Sequence, residues 1–370
     1  MKKAFFSVLA LVLCLVLTVG CGGTDTSSTD SSSASSPTDS ETASTDTSSN
    51  ASSDTSSKLT EEQIKMSGYL GAYSYKIDSL NQKTEGKFTF GLQSDTHHYD
   101  TSQTPGGNNI VALSHFVEMD FVGHLGDIVR GYSVEDIDSP ENMRACMDDM
   151  VNRFVNNAKI PVMMTVGNHD TNSMWCNKWG DHTTQITPEE QKTRIFDRLK
   201  EHNGDKMVTD DDGSYYYIDF PEDGIRVIML NTSNDTYDGT KMCATAFVSE
   251  KQIEWFKTEA LNTQNQVIVM SHIPFTTAVE ENKLPTGGAE IAAAVEEFIS
   301  GGGKFIAYCC GHKHGKTSAV DENGRLHIVV PYGRSKGAVI AVNTANGTIS
   351  FTDLGGGVDF VYDYVNGQMQ

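Results

Sequence analysis

Ile160-Pro161-Val162-Met163-Met164-Thr165-Val166-Gly167-Asn168-His169-Asp170 sets the pattern from which the fold can be read. A short apolar run stops at a glycine and three polar residues, which is how a buried strand ends in a turn. Working outward, the same pattern recurs four times. Lys87–Gln93 leads into Asp95-Thr96-His97, and Phe121–Leu125 into Gly126-Asp127. Val267–Met270 leads into Ser271-His272, and Phe305–Tyr308 into Gly311-His312-Lys313-His314. Helical patterns separate these runs. Asn109–Met119 reads as a helix. Ser139-Pro140-Glu141 opens another that runs to about Ala158, with the serine as cap and proline at the first position. Thr187-Pro188-Glu189-Glu190 opens a third, ending near Asn203-Gly204. Further helices follow from Ser249 to Leu261 and over Ala289–Ile299. Alternating strands and helices indicate an α/β class. Two features oppose a purely parallel sheet. Ser214–Phe220 and Arg226–Asn231 read as a hairpin, and Lys316 to Asp353 is mostly short strands. Two mixed sheets packed face to face, with outer helices, satisfy both. This domain spans residues 58–370, long enough for a full core.

The first 57 residues differ in kind. Met1-Lys2-Lys3 is basic, Ala4 to Val19 is almost wholly apolar, and Gly20-Cys21 follows. That is the order of an export signal, expected over residues 1–20, and the apolar run is short for a spanning helix. Thr18-Val19-Gly20-Cys21 resembles the lipobox of bacterial lipoproteins, with Thr18 where leucine is usual. The resemblance implies a lipid on Cys21 and a membrane-anchored protein on the extracellular face, or a secreted one if the lipobox is not used. Residues 21–57 read as a tether. Of the 34 residues 24–57, 28 are Ser, Thr or Asp, and none is aromatic or basic. Such a composition buries too little to offset ordering entropy. Beyond Cys14 and Cys21, five cysteines remain, an odd number. Export permits disulfides without specifying pairs, and Cys309 and Cys310 read as core residues.

The formal charge is −21, from 28 Lys+Arg against 49 Asp+Glu. Loss of residues 1–20 removes two lysines, and residues 24–57 carry five Asp and one Glu. The domain therefore keeps −17. A surface of that sign repels phosphate backbones, which argues against a nucleic-acid polymer as partner and for a small diffusible one.

The chemistry collects after the strands. Five expected strands end in Asp, Asn or His, and ligands of α/β sheets gather at the carboxyl ends of strands. Imidazole with carboxylate suits divalent or trivalent transition ions such as Mn, Fe or Zn. Residues two apart, as in Asp95/His97 and His312/His314, converge in a loop and not on a helix face. Two ions about 3.5–4 Å apart acidify a bridging water to hydroxide and clamp a phosphoryl group.

The ordered series D-x-H, G-D, G-N-H-D, H and G-H-x-H resembles the calcineurin-like metallophosphoesterase superfamily. The resemblance covers Asp95 to His314. It implies a two-sheet αββα sandwich and a dinuclear site that hydrolyses phosphomonoesters or phosphodiesters. Asp95, His97 and His314 would hold one metal, Asn168, His272 and His312 the other, and Asp127 would bridge. His169 would be the general acid, and Asp170 would orient either that turn or His169. Arg130 stands where purple acid phosphatases carry a tyrosine ligand, which argues against an iron-tyrosinate centre. Arg130 reads either as a phosphate contact or as a surface ion pair. A small phosphoester outside the cell is the implied substrate. The alternative from the front end alone is a solute-binding lipoprotein, which has no use for a dinuclear site.

Other readings are structural. His98, His115, His124, His182, His202 and His327 are surface or core residues, with His98 the candidate to line the cleft. Tyr132 packs, and Trp175 and Trp179, in a loop, read as packing residues or as a stack for a base or sugar. Loops 232–248 and 273–287 rim the site and shape specificity. Val279 to Lys283 forms a solvated face.

Overall fold

A computed structural model describes residues 59–103, 107–180, 182–210, 213–237, 242–280, 284–315 and 318–370. The expected export signal, Cys21 and the tether lie outside the described residues, as do residues 281–283. Strands follow in chain order: β1 (Phe88–Gln93), β2 (Phe121–Leu125), β3 (Val162–Thr165), β4 (Met207–Thr209), β5 (Tyr216–Phe220) and β6 (Ile225–Met229). Then come β7 (Ser233–Tyr237), β8 (Met242–Ala246), β9 (Gln266–Met270), β10 (Phe305–Cys310) and β11 (Ala319–Val320). The chain closes with β12 (Leu326–Val329), β13 (Ala338–Asn343), β14 (Thr348–Asp353), β15 (Phe360–Asp363) and β16 (Gln368–Met369).

These strands make two seven-stranded sheets and a two-stranded ribbon. The first sheet has the order β16-β15-β14-β13-β1-β2-β3, and the second β11-β12-β10-β9-β6-β5-β4. Each is mixed. β1, β2 and β3 are parallel, and antiparallel β13 joins β1 to the C-terminal meander. β6, β9, β10 and β12 are parallel, with the β5–β6 hairpin antiparallel. The α/β class with two mixed sheets is thus the observed architecture.

The sheets meet through aromatic rings. Phe90 of β1 stacks on its register partner Phe121 of β2 at 4.7 Å, and Phe88 meets Phe220 of the second sheet at 4.9 Å. Tyr216 Oη accepts from the Met164 N–H at 2.7 Å and donates to the Met164 carbonyl at 2.9 Å. That bridge satisfies a buried hydroxyl whose burial would otherwise be costly. β1 is buried on both faces, so the Phe88/Phe90/Leu92 alternation marks side-chain size and not exposure. Gly91 makes room for Ile110, whose Cδ1 lies 2.7 Å from where a Cβ would stand.

Helices begin where capping chemistry places them. Ser139 caps Pro140–Val155, which buries Met143, Met147, Met150, Val151 and Phe154 at helical spacing. Thr187 and Glu190 form a reciprocal capping box. The Asn109–Met119 helix is a correction: the helix is Gly107–Leu113. The chain leaves it so that Asp120 can bond both ways to Thr89, at 2.7 Å each. Trp175 and Trp179 also lie on a helix, Ser173–Trp179, rather than in a loop. The strands at the C-terminus continue past Asp353 to Met369. Cys146, Cys176, Cys309 and Cys310 are buried, and Cys309 and Cys310 are the last residues of β10.

Candidate metal centre

The ends of β1, β2, β3, β9 and β10 bring the polar turns to one place. Backbone pairing continues past the strands, with Asp95 N–H to the Gly126 carbonyl at 2.9 Å and His97 N–H to the Asp127 carbonyl at 3.1 Å. The turns are tight. Asp95, His97, Asp127 and His312 all have positive φ, between 46° and 65°, and only Asn172 shares this among other described non-glycine residues. Each such conformation costs about 1–3 kcal/mol and persists only where its surroundings enforce it.

The motif glycines are steric requirements. A Cβ on Gly167 would stand 2.1 Å from Asp127 Oδ1, and one on Gly311 would stand 1.9 Å from Ser94 Oγ. A Cβ on Gly131 would stand 2.1 Å from the His169 carbonyl oxygen. Glycine lets the loops approach to the distance at which their side chains converge.

Two donor groups result. Asp95, His97, Asp127 and His314 offer ligand atoms within 4.8 Å of one another, and so do Asp127, His272 and His312. Asp127 belongs to both. His97 Nε2 faces His314 Nε2 at 3.2 Å, and His314 Nε2 lies 3.0 Å from Asp95 Oδ1. His272 Nδ1 donates to the Leu125 carbonyl at 2.7 Å, which turns Nε2 toward Asp127 Oδ2 at 3.3 Å and Asn168 Oδ1 at 3.2 Å. That carbonyl fixes the ring as outer partners of metal-binding histidines do. Carboxylate and amide oxygens and imidazole nitrogens thus converge, a donor set that divalent transition ions fit.

Electrostatics agree. Burial would raise Asp127, but the imidazoles of His272 and His169 outweigh it and hold the carboxyl well below its usual range. Burial would lower His272, but Asp127 and Asp95 push it up to about 9. A proton on His272 thus supplies the positive charge that a metal would otherwise bring. Burial and the neighbouring His272 push His312 down to about 4.

His169 lies beside this centre. Its N–H donates to Asp127 Oδ1 at 2.9 Å, its Nδ1 faces the Arg130 carbonyl at 2.8 Å, and its Nε2 is 3.9 Å from Asp127 Oδ2. Asp170 is fully buried and accepts from the N–H groups of Gly167 at 2.7 Å and Val129 at 2.9 Å. It therefore ties the turn itself and not the His169 ring. Burial, then Asp127, pushes its carboxyl up to about 7. Arg130 Nε sits 3.6 Å from buried Asp138, with Tyr99 and Tyr132 under its guanidinium at 5.2 and 5.6 Å.

Three further residues at the site carry no motif in the sequence. Tyr132 stacks on His97 at 5.5 Å and meets His169 edge-on at 4.6 Å. Tyr332 stacks on His314 at 4.3 Å. Glu280 is a correction to the solvated face expected at Val279–Lys283. It is 4% exposed, with Oε2 3.5 Å from His312 Nε2 and 3.1 Å from Lys313 Nζ. Its segment carries no motif, so only packing could reveal it. His98 is also not in the cleft: it is buried against Asp149 at 2.9 Å.

The family profile described as calcineurin-like phosphoesterase matches residues 88–316. Among solved structures, the chain is similar to a dimetal phosphatase from Danio rerio. The identity is 16% and the TM-score 0.52, over 75% of this chain and 99% of that one. It is also similar to a 5'-nucleotidase from Candida albicans, at 19% identity and a TM-score of 0.43, over 70% of this chain and 47% of that one. No curated protein matches the chain. At these identities the likeness to the Danio rerio protein is one of fold.

Proposed function

The chain belongs to the calcineurin-like phosphoesterase family, and from that premise we propose that it hydrolyses small phosphomonoesters or phosphodiesters outside the cell, anchored by lipid on Cys21. It is a phosphoester hydrolase. The observation that carries the finer reading is Asp127, shared by two donor groups and bonded to the His169 N–H.

In this reading Asp95, His97 and His314 would hold one ion, Asn168, His272 and His312 the other, and Asp127 would serve both sets. When bound, two such ions supply Lewis acidity to a phosphoryl group and lower the pKa of water. The chain's own residues do the rest. Leu125 and Arg130 use their carbonyls to fix the rings of His272 and His169. His169, with Nδ1 so engaged, presents Nε2 to the substrate and protonates the leaving oxygen. Tyr132 packs against His97 and His169 and keeps both rings from turning. The Arg130 guanidinium, close to Asp138, adds positive charge beside the site. The basic and apolar start of the chain, with Cys21 before a polar tether, supports export and anchoring.

The test is a hydrolysis panel of mono-, di- and cyclic phosphoesters with Mn²⁺, Fe²⁺ or Zn²⁺. Turnover of at least one class is expected. No turnover of any ester, with two ions bound, would refute the reading. Labelling with palmitate during expression tests Cys21: label on the wild type and none on Cys21→Ala supports the anchor.

A further inference from the structure

A cavity of about 650 Å³ opens between the C-terminal meander of the first sheet and the segment after β12. It adjoins the metal centre. Lys313 and Gly315, of the loop that carries His312 and His314, are part of its lining. Tyr332 lines it too, with its ring lying 8° from parallel on His314. The other walls are largely apolar. Phe351 and Phe360 stack at 4.9 Å and contribute to the lining. Val358 and Met369 also line the cavity, and they are 78% and 48% exposed. Two lysines and a carboxylate also belong to the lining, Lys313, Lys336 and Asp353, with Lys336 Nζ 5.0 Å from the Tyr332 ring.

Large apolar side chains left open to water beside a catalytic centre mark a binding surface. The volume is that of a small-molecule site and too small for a polymer. We propose that this cavity receives the leaving group of the substrate, and that the leaving group is an aromatic ring system. The proposal rests on the phosphoesterase reading and adds the substrate class. Tyr332, between the cavity and His314 at 4.3 Å, puts a group bound here one side chain away from the donor groups. The rings of Tyr332 and Phe360, the latter backed by buried Phe351, suit a ring, which gains from stacking and edge contacts. A glycerol or sugar group would instead set hydroxyls against apolar walls, where they lose their hydrogen bonds.

Two measurements test this on the full domain loaded with Mn²⁺. Binding of 1-naphthylmethylphosphonate, which is not hydrolysed, is compared with binding of methylphosphonate by calorimetry. The naphthyl probe is expected to bind at least about tenfold more tightly, and Val358→Asp to erase most of that difference. Kinetics are then compared for 1-naphthyl phosphate and glycerol 2-phosphate. Val358→Asp is expected to raise KM for the naphthyl ester roughly tenfold with kcat little changed, and to leave the glycerol ester unaffected. Comparing each ester between wild type and variant cancels the intrinsic difference in leaving-group reactivity. Tyr332→Ala should act in the same direction, with metal content measured because its ring touches His314. Equal binding of the two phosphonates, or an equal effect of Val358→Asp on both esters, overturns the pocket. Failure of the wild type to hydrolyse any ester overturns the phosphoesterase reading instead, and the phosphonate comparison still decides the pocket.

Discussion

Replacing Asp127 with Asn separates the two donor groups. The substitution keeps the volume and keeps an oxygen for the His169 N–H, which lies 2.9 Å away. It removes the charge shared by both groups. The first group still has Asp95. The second is left with His272, His312 and Asn168, all neutral donors when a metal is bound. Removing one partner from a buried charge pair costs about 3–5 kcal/mol, which is roughly a hundred- to several-thousand-fold in affinity. The Asp95 group should therefore weaken, while the second should fall out of the micromolar range. Titration of metal-free protein with Mn²⁺, followed by metal analysis after desalting, should give two ions per chain for the wild type and one or fewer for Asp127→Asn. A second readout needs no metal. Asp127 is the leading cause that raises His272 to about 9, against the effect of burial. In the metal-free variant the His272 resonances should titrate below that value. Two ions bound with wild-type affinity, and an unmoved His272, would refute the assignment of Asp127 as the shared ligand.

Other predictions follow from the same geometry. His169→Ala should keep both ions and lose roughly 100- to 10,000-fold in kcat, measured on the best ester of the panel; loss of metal would assign His169 to the donor set instead. Glu280→Gln should weaken one of the two ions roughly tenfold or more by releasing His312, read by Mn²⁺ calorimetry, while Lys313→Met alone should leave metal number unchanged. Metal binding must displace the proton that His272 carries below about pH 9. Apparent affinity should therefore rise about tenfold per pH unit between pH 6.5 and 8.5, with proton release seen as a buffer-dependent heat. A flat profile would show that His272 is neutral in the metal-free protein.

The local chemistry of the site was legible because it is written in turns. Each metal-directed residue lies within four positions of a strand end, and each turn carries its own glycine or close spacing. Gly167-Asn168-His169-Asp170 names three polar roles in four residues, and the structure brings Asn168 to His272 and His169 to Asp127. Residues that act across the fold were not legible in this way. Glu280 lies in a segment that reads as solvated, Tyr332 follows a proline outside any motif, and Tyr132 stands two places past Arg130, outside the motif of Asp127. Helix ends were visible where a cap marks them, as at Ser139 and Thr187. They were missed at Leu113, where the Asp120–Thr89 pairing ends the helix from outside.

Period, caps and strand-end turns are local properties, so the order of these 370 residues by itself determined the class, the five turns and the ligand chemistry they carry. Strand order, the shared position of Asp127, the buried carboxylate of Glu280 and the cavity beside Tyr332 were decided only by tertiary structure. They depend on which turns the two sheets press together, and residues hundreds of positions apart acquire their distances only when both sheets are packed. Asp95 and His314, 219 positions apart and 3.0 Å from contact atom to contact atom, show why.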